Sequence, residues 1–446
     1  MRRGHRHTKL DIWRGMTARG CPPTRPRAGI SEALAHGSGV SASRLLGSDG
    51  QRLGRVIDLV VGLDAKESHP PLVGAKVRIG GRELFIPARQ IVSLAPSAVR
   101  TSTNKLNLAR FQRRPGEALL RGDLLGRDMI EITTARLVRA REIELVHERR
   151  AWRVAGIDTS IRARLRRLLP RWRHRVGKPV RFVGWSELEP FPAYIPSSRR
   201  RLARRLARLH PAQIADLVEA ASHDQADEIL SSVEESRDLE ASVLEELDDE
   251  HRIRFLRDRS NTDVAALLAR LPSDDAADLV MQVDQSRRRP VLDLLPAAKS
   301  AQIRELLRYN PETAGGIMNP GFVRVAMDGT VADAIAGVRA AGIPAQEVQA
   351  VYLSDAGGRF RGAVAVADLL RAEAQDALVA LVRTRTPTVT TSADIPDIAC
   401  VMSDYDLLSL AVVDDHARIV GVIVLDDVME RVLPDDWRRR RRLLSG

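Results

Sequence analysis

Two aspartates four residues apart, Asp274 and Asp278 in Ser273-Asp-Asp-Ala-Ala-Asp278, would project from one face of a helix. Carboxylate oxygens so placed suit a hard divalent cation, which prefers oxygen ligands and keeps several of its waters. The neighbouring stretch from Asp224 to Glu250 is strongly acidic and adds a field that attracts cations. The same residues also have a structural use: Pro272-Ser-Asp-Asp is a good helix start, where acids complement the positive end of the helix dipole. Other chemistry finds no residues to carry it. There is no phosphate-binding glycine loop with Lys-Ser/Thr, no His-Glu-x-x-His, no Gly-x-Ser-x-Gly and no Cys/His cluster, so a non-enzymatic protein is expected. The two cysteines, Cys21 and Cys400, lie far apart and build neither a disulfide framework nor a thiolate metal site, which fits a reducing cytoplasm.

The elements that must position such acids are those of a multidomain α+β chain. With 446 residues, 44% of them hydrophobic and 29% charged, the chain is globular and long enough for two to four domains. Its charge is polarised: of 70 Lys and Arg and 58 Asp and Glu, residues 1–209 carry 44 and 17. A basic half therefore precedes an acidic half, which points to an anionic partner for one and a cationic partner for the other, or to attraction between the two. Residues 1–39 read as a disordered basic tail, because the first twenty lack the apolar run of a secretory signal. The most apolar stretch, Leu407 to Leu425, is broken by Asp414, Asp415, His416 and Arg418, far short of the roughly 18 apolar residues of a spanning helix. No membrane segment is expected.

Residues 40–160 read as β-rich and barrel-like, with short runs such as Arg55–Val61 and Ala75–Ile79 bounded by Gly, Pro and Asp turns. Residues 161–209, crowded with arginine and interrupted by five prolines, read as a basic linker with one short helix. Across 210–317 apolar clusters such as Ile214, Leu217 and Val218 recur about every 12 to 14 residues, the rhythm of short helices stacked into an all-α superhelix. Residues 318–434 repeat a β-α-β-β-α unit, with Thr330-Val-Ala-Asp333 and Thr391-Ser-Ala-Asp394 as helix caps, strands at Val351–Leu353 and Ala411–Val413, and closing helices at Asp368 and Asp426-Asp427. A second basic tail, 435–446, contains Arg438–Arg442.

Leu307-Arg-Tyr-Asn-Pro-Glu-Thr-Ala-Gly-Gly-Ile-Met-Asn-Pro320 resembles the joint of MgtE-type magnesium transporters, where a helical N domain meets a pair of CBS domains. Met402-Ser-Asp-Tyr-Asp406 and Val412–Val428 resemble the second CBS copy. Leu46–Asp58 resembles the opening of a PRC-barrel domain, and Asp123–Ile130 with Val154–Asp158 a degenerate second copy. The fold class implied is a PRC-barrel-like β region, an all-α superhelix and a tandem α/β CBS pair.

That resemblance implies a magnesium-sensing regulatory protein without the membrane-spanning half, which stops at Gly446 and acts on a separate transporter. It supplies Asp414 and Asp426 as Mg2+ ligands facing Asp274 and Asp278, with Glu240 as a further ligand. His416 stands where the family commonly offers another acid. CBS pairs often hold adenine nucleotide by the ribose, which implicates Asp368 and Asp427. Nucleotide is the less favoured ligand here, because Ala365 and Val424 replace the hydroxyl residues three positions earlier. A homodimer through the CBS pairs is expected, and Arg438–Arg442 could touch the transporter or anionic lipid. The alternative is a nucleic-acid partner, an RNA- or ribosome-associated adaptor acting through the basic half. Aromatics at 4% leave that reading few stacking platforms.

Overall fold

The computed structural model describes residues 34–41, 43–63, 68–105, 110–148, 151–160, 181–191, 196–345, 347–382 and 386–433. Readings that fall on residues 1–33, on Arg162–Arg175 and on the segment 434–446 with Arg438–Arg442 lie outside these. The chain gathers into two compact units, residues 1–236 and 237–446.

The first unit is built on fourteen strands among its described residues. They are β1 (Leu34–His36), β2 (Arg44–Leu46), β3 (Arg52–Gly62), β4 (Leu72–Ile79), β5 (Arg82–Pro87), β6 (Ile91–Leu94) and β7 (Ala98–Thr101). There follow β8 (Glu117–Leu119), β9 (Asp128–Glu131), β10 (Arg136–Arg139), β11 (Glu142–Glu148), β12 (Ala151–Asp158), β13 (Phe182–Gly184) and β14 (Leu188–Pro190). Strand pairing follows the path β5-β4-β3-β2-β7-β6 with β8 on β3, and two further sheets, β1-β11-β12-β13 and β10-β9-β14. The Val/Ile alternation of β3 and β4 feeds one core with Leu45, Leu59, Val77, Leu120, Ile143 and Ile157.

Two expectations are corrected in this unit. The tail assigned to residues 1–39 gains structure from Leu34, because β1 pairs antiparallel with β11 and a helical turn, α1 (Gly37–Val40), follows. The linker assigned to 161–209 is folded wherever it is described: β13 pairs with β12, β14 pairs with β9, and α2 (Pro196–Leu206) packs against a later helix. The physical reason is Glu189, only 1% exposed on β14. Arg201 and Arg205 of α2 reach it at 2.7 and 3.2 Å, so arginines read as a solvated face are committed to one buried carboxylate. The unit closes with α3 (Pro211–Ala220) and α4 (His223–Val233), which pack on each other.

The second unit opens with six short helices, α5 (Arg237–Glu246), α6 (Asp249–Arg257), α7 (Asn261–Leu268), α8 (Ser273–Gln282), α9 (Gln285–Asp293) and α10 (Ala297–Leu306). Each starts 12 residues after the last, so side chains of alternate helices meet: α5 packs on α7, α7 on α9, and α8 on α10. Asp248 and Ser260 cap α6 and α7 by accepting third-residue amides.

After a short turn of helix, α11 (Ala314–Ile317), come two copies of one unit. The first has β15 (Arg324–Ala326), α12 (Val331–Ala340), β16 (Ala350–Ser354), β17 (Phe360–Ala365) and the single turn α13 (Val366–Leu369). A further turn, α14 (Leu378–Leu381), precedes the second, with β18 (Thr388–Thr390), α15 (Ile395–Asp404), β19 (Ser409–Val413), β20 (Ile419–Val424) and α16 (Leu425–Val432). In both sheets the first strand is parallel and the third antiparallel to the middle one. Tyr352, Ala411, Ile419 and Val422, flanked by Phe322 and Phe360, fill the space between the copies. Thr330 caps α12 reciprocally with Asp333, as expected. The second cap is corrected: Asp394, not Thr391, caps α15 by accepting the Asp397 amide, because Pro396 fixes the helix start at Ile395. Among the described residues no helix is long and apolar enough to cross a membrane.

Candidate cation site

A cavity of about 340 Å³ opens inside the second unit, between the helical array and both repeated copies. The array contributes Glu245 from α5, and Asp274 and Asp275 from the first turn of α8. The first copy contributes Glu347, in the loop between α12 and β16, and the second contributes Asp426 and Asp427 from the first turn of α16. Acids from three helices and one loop, distant in sequence, thus share one space.

Asp274 is the most confined of them. It is 8% exposed, and its Oδ1 has no hydrogen-bond partner. The residue that caps α8 is Pro272, which offers no side-chain acceptor, and Asp274, in the first turn, lines the cavity. Burial, then the charges of Asp427 and Glu347, push its carboxyl well above the usual range against the pull of first-turn amides. Asp275 is raised likewise, by burial and then by Asp274, Glu430 and Asp278. Asp427 is pushed up to about 8 by burial and by Asp275, and Glu245 to about 8 by burial and by Asp275, Glu246 and Glu430.

Glu347 is held on one side, where Asn319 donates to Oε2 at 2.6 Å, while its Oε1 is buried without a partner. Burial raises it and Lys299 opposes the rise. Lys299, on α10, donates to the Leu271 carbonyl at 2.5 Å and to Ser273 Oγ at 3.1 Å. Its own pKa is lowered by burial, although Asp274, Glu347 and Asp275 hold it up.

The other sequence-derived candidates lie apart from this cavity. Asp278 accepts from Arg431 of α16 at 2.5 Å, an ion pair that joins the helical array to the second copy. Asp414 accepts the amides of His416 and Arg418 at 2.9 and 2.8 Å, so it shapes the β19–β20 turn, and these amides lower its pKa. Glu240 is 1% exposed inside the array, with Arg237 at 2.8 Å and Arg259 at 3.0 Å. Asp368 sits on α13 with Arg371 at 3.8 Å. Of the seven candidates the cavity gathers Asp274, Asp426 and Asp427. It adds Asp275, adjacent to Asp274; Asp238, paired with Arg270, and Glu245, both in the acidic stretch Asp224–Glu250; and Glu347, for which the sequence carried no signal.

Carboxylate oxygens with one buried, unpartnered atom are the donor chemistry that Mg2+ accepts. Among the described residues no group of three or more acid, imidazole or thiolate side chains is drawn together tightly enough to grip a bare ion. The carboxylates that line the cavity from the helical array and the two copies suit a cation that keeps several of its waters.

Residues 209–312 match the MgtE intracellular N domain family, and residues 379–434 match the CBS domain family. The magnesium transporter MgtE of Thermus thermophilus is 28% identical over 234 residues, which are 52% of this chain and 52% of that protein. The MgtE of Enterococcus faecalis is 29% identical over 138 residues, 31% of this chain and 30% of that one. The chain thus spans about half the length of the first of these relatives. A crystal structure of the cytosolic domain of the Mg2+ channel MgtE in complex with ATP is 28% identical, with a TM-score of 0.49, over 52% of this chain and 94% of that one. Residues 209–312 are thus similar to the MgtE intracellular N domain and residues 379–434 to a CBS domain, the order in which the chain also resembles the MgtE relatives.

Proposed function

We propose that residues 209–434 form a magnesium-responsive regulatory region that works in the cytoplasm and acts on a membrane transporter. The observation that carries this reading is the buried Asp274 carboxyl, whose Oδ1 has no partner, sharing with Glu347 and Asp427 a cavity between the helical array and the CBS pair. Without a cation these acids repel one another or hold protons. A hydrated Mg2+ between them favours the closed arrangement by mass action. A second copy of the chain is the partner suited to Tyr405, just after α15, and to Met429 and Val432 of α16, side chains left exposed. Adenine nucleotide is the weaker ligand, since Val424 offers no hydroxyl and the acidic wall repels phosphate.

The test is scattering and limited proteolysis of the full chain in EDTA and in millimolar Mg2+. The wild type should become more compact and more protease-resistant with magnesium. Asp274→Asn combined with Asp427→Asn should be compact already in EDTA, because the repulsion that magnesium screens is gone. Asn also serves in a first helical turn, so the variant should fold. A normal magnesium titration in this double variant would sink the assignment.

A further inference from the structure

Only part of the cavity wall is acidic. The rest of the lining includes an apolar part, Phe322, Ile343, Pro344, Val348 and Tyr352. A hydrated metal ion would use the acidic wall and leave this one in contact with water. The volume of about 340 Å³ lies in the range of small-molecule pockets, roughly 300–1,000 Å³. Phe322 and Tyr352 meet edge to face, with centroids 5.8 Å apart, and form an aromatic corner. The Tyr352 hydroxyl already donates to Ser409 Oγ at 2.7 Å, so that residue offers the cavity a ring more than a hydroxyl.

We infer that this cavity binds a small organic cation, a primary amine or polyamine with an apolar or aromatic body. The ammonium group lies among Asp274, Glu347, Glu245 and Asp427, and the body lies against the apolar wall. An ammonium has three donors and no acceptor, which matches a wall holding two buried acceptor atoms without partners, Asp274 Oδ1 and Glu347 Oε1. The chain provides its own example of this chemistry in Lys299, a primary amine part-buried beside Asp274, Asp275 and Glu347. The inference goes beyond the magnesium reading: it uses the same cavity and adds a second class of ligand that competes for it.

The experiment is calorimetric titration of the full-length protein in metal-free buffer with tyramine and with spermidine, and separately with MgCl2. Saturable binding of one amine per chain is expected, weakened at least tenfold by Asp274→Asn. Glu245→Gln, which changes an acid the solvent reaches, gives a second reading should Asp274→Asn unfold. Glu250→Gln, on the exposed side of α6, should leave binding unchanged. Failure of both amines to bind, or binding indifferent to Asp274→Asn and Glu245→Gln, would overturn the inference. Magnesium binding with silent amines would leave the magnesium reading standing alone, whereas amine binding with no magnesium response would reverse the two.

Discussion

Burial and the neighbouring acids push Asp427 up to about 8, far above its ordinary value of 3.8, and raise Asp274 and Asp275 well above theirs. A carboxyl raised on folding keeps its proton in the folded chain at pH values where the unfolded chain has lost it. Folding then binds protons, and stability falls as pH climbs. In EDTA, the denaturation midpoint of the second unit should therefore drop between about pH 4.5 and pH 8, and millimolar Mg2+ should flatten that slope by replacing protons with a cation. A midpoint that rises over this window would mean that the acids are compensated within the chain. Glu240 belongs to a different class, because Arg237 and Arg259 already neutralise it. Glu240→Gln should cost about 3 kcal/mol of stability by leaving two arginines facing an amide, with no change in magnesium midpoint. Residue type and spacing made Asp274 legible as a candidate. They could not separate it from Asp278, since the Arg431 that occupies Asp278 lies 153 positions away.

The helices were legible because each one repeats an apolar triplet and begins near Pro, Ser or Asp, and the twelve-residue step follows from that punctuation. The paired sheets were legible as a repeat. Strand pairing in residues 181–190 was not, because three-residue strands carry no period and their partners β9 and β12 are remote in sequence. Glu347 was equally hidden, in a loop with no periodic pattern. The joint motif, by contrast, has a mechanical reading. Ala314 and Gly315 donate to the carbonyls of Ala393 and Thr391, and Asn319 exchanges two backbone hydrogen bonds with Val422 of β20, so the joint threads across to the second CBS copy. Gly316 permits that path. A Cβ there would stand 2.4 Å from the Asn310 carbonyl and 2.6 Å from Pro311 Cα, both backbone atoms that cannot rotate away. Gly316→Ala should destabilise the second unit by about 2 kcal/mol. Chemical denaturation is the check, and an unchanged midpoint would show that the joint has slack.

The charge asymmetry remains the broadest feature of the chain, and it sorts two functional readings that the sequence left open. An RNA-binding basic half would need exposed rings among its arginines. In the first unit Trp152 and Trp185 are buried at 7% and 5% exposure. Phe85 and Phe111 lie against each other at 6.1 Å, with Arg114 and Lys76 over their rings. Two arginines of α2, Arg201 and Arg205, hold Glu189 instead of facing solvent. These rings and arginines are therefore spent within the fold, while the acids of the cavity are not. All of the cavity's lining residues lie between Asp238 and Asp427. Hydrogen exchange on the full chain should accordingly show slowing on addition of millimolar Mg2+ at the start of α8, in the loop around Glu347 and at the start of α16. Exchange in β3, β4 and β12 should stay unchanged. The starts of α8 and α16 are the informative places, because their first-turn amides sit beside the carboxylates that the cation would draw together. Protection that appeared in the β-rich unit, and not at these helix starts, would move the sensing site to the basic half and remove Asp274 and Asp427 from it.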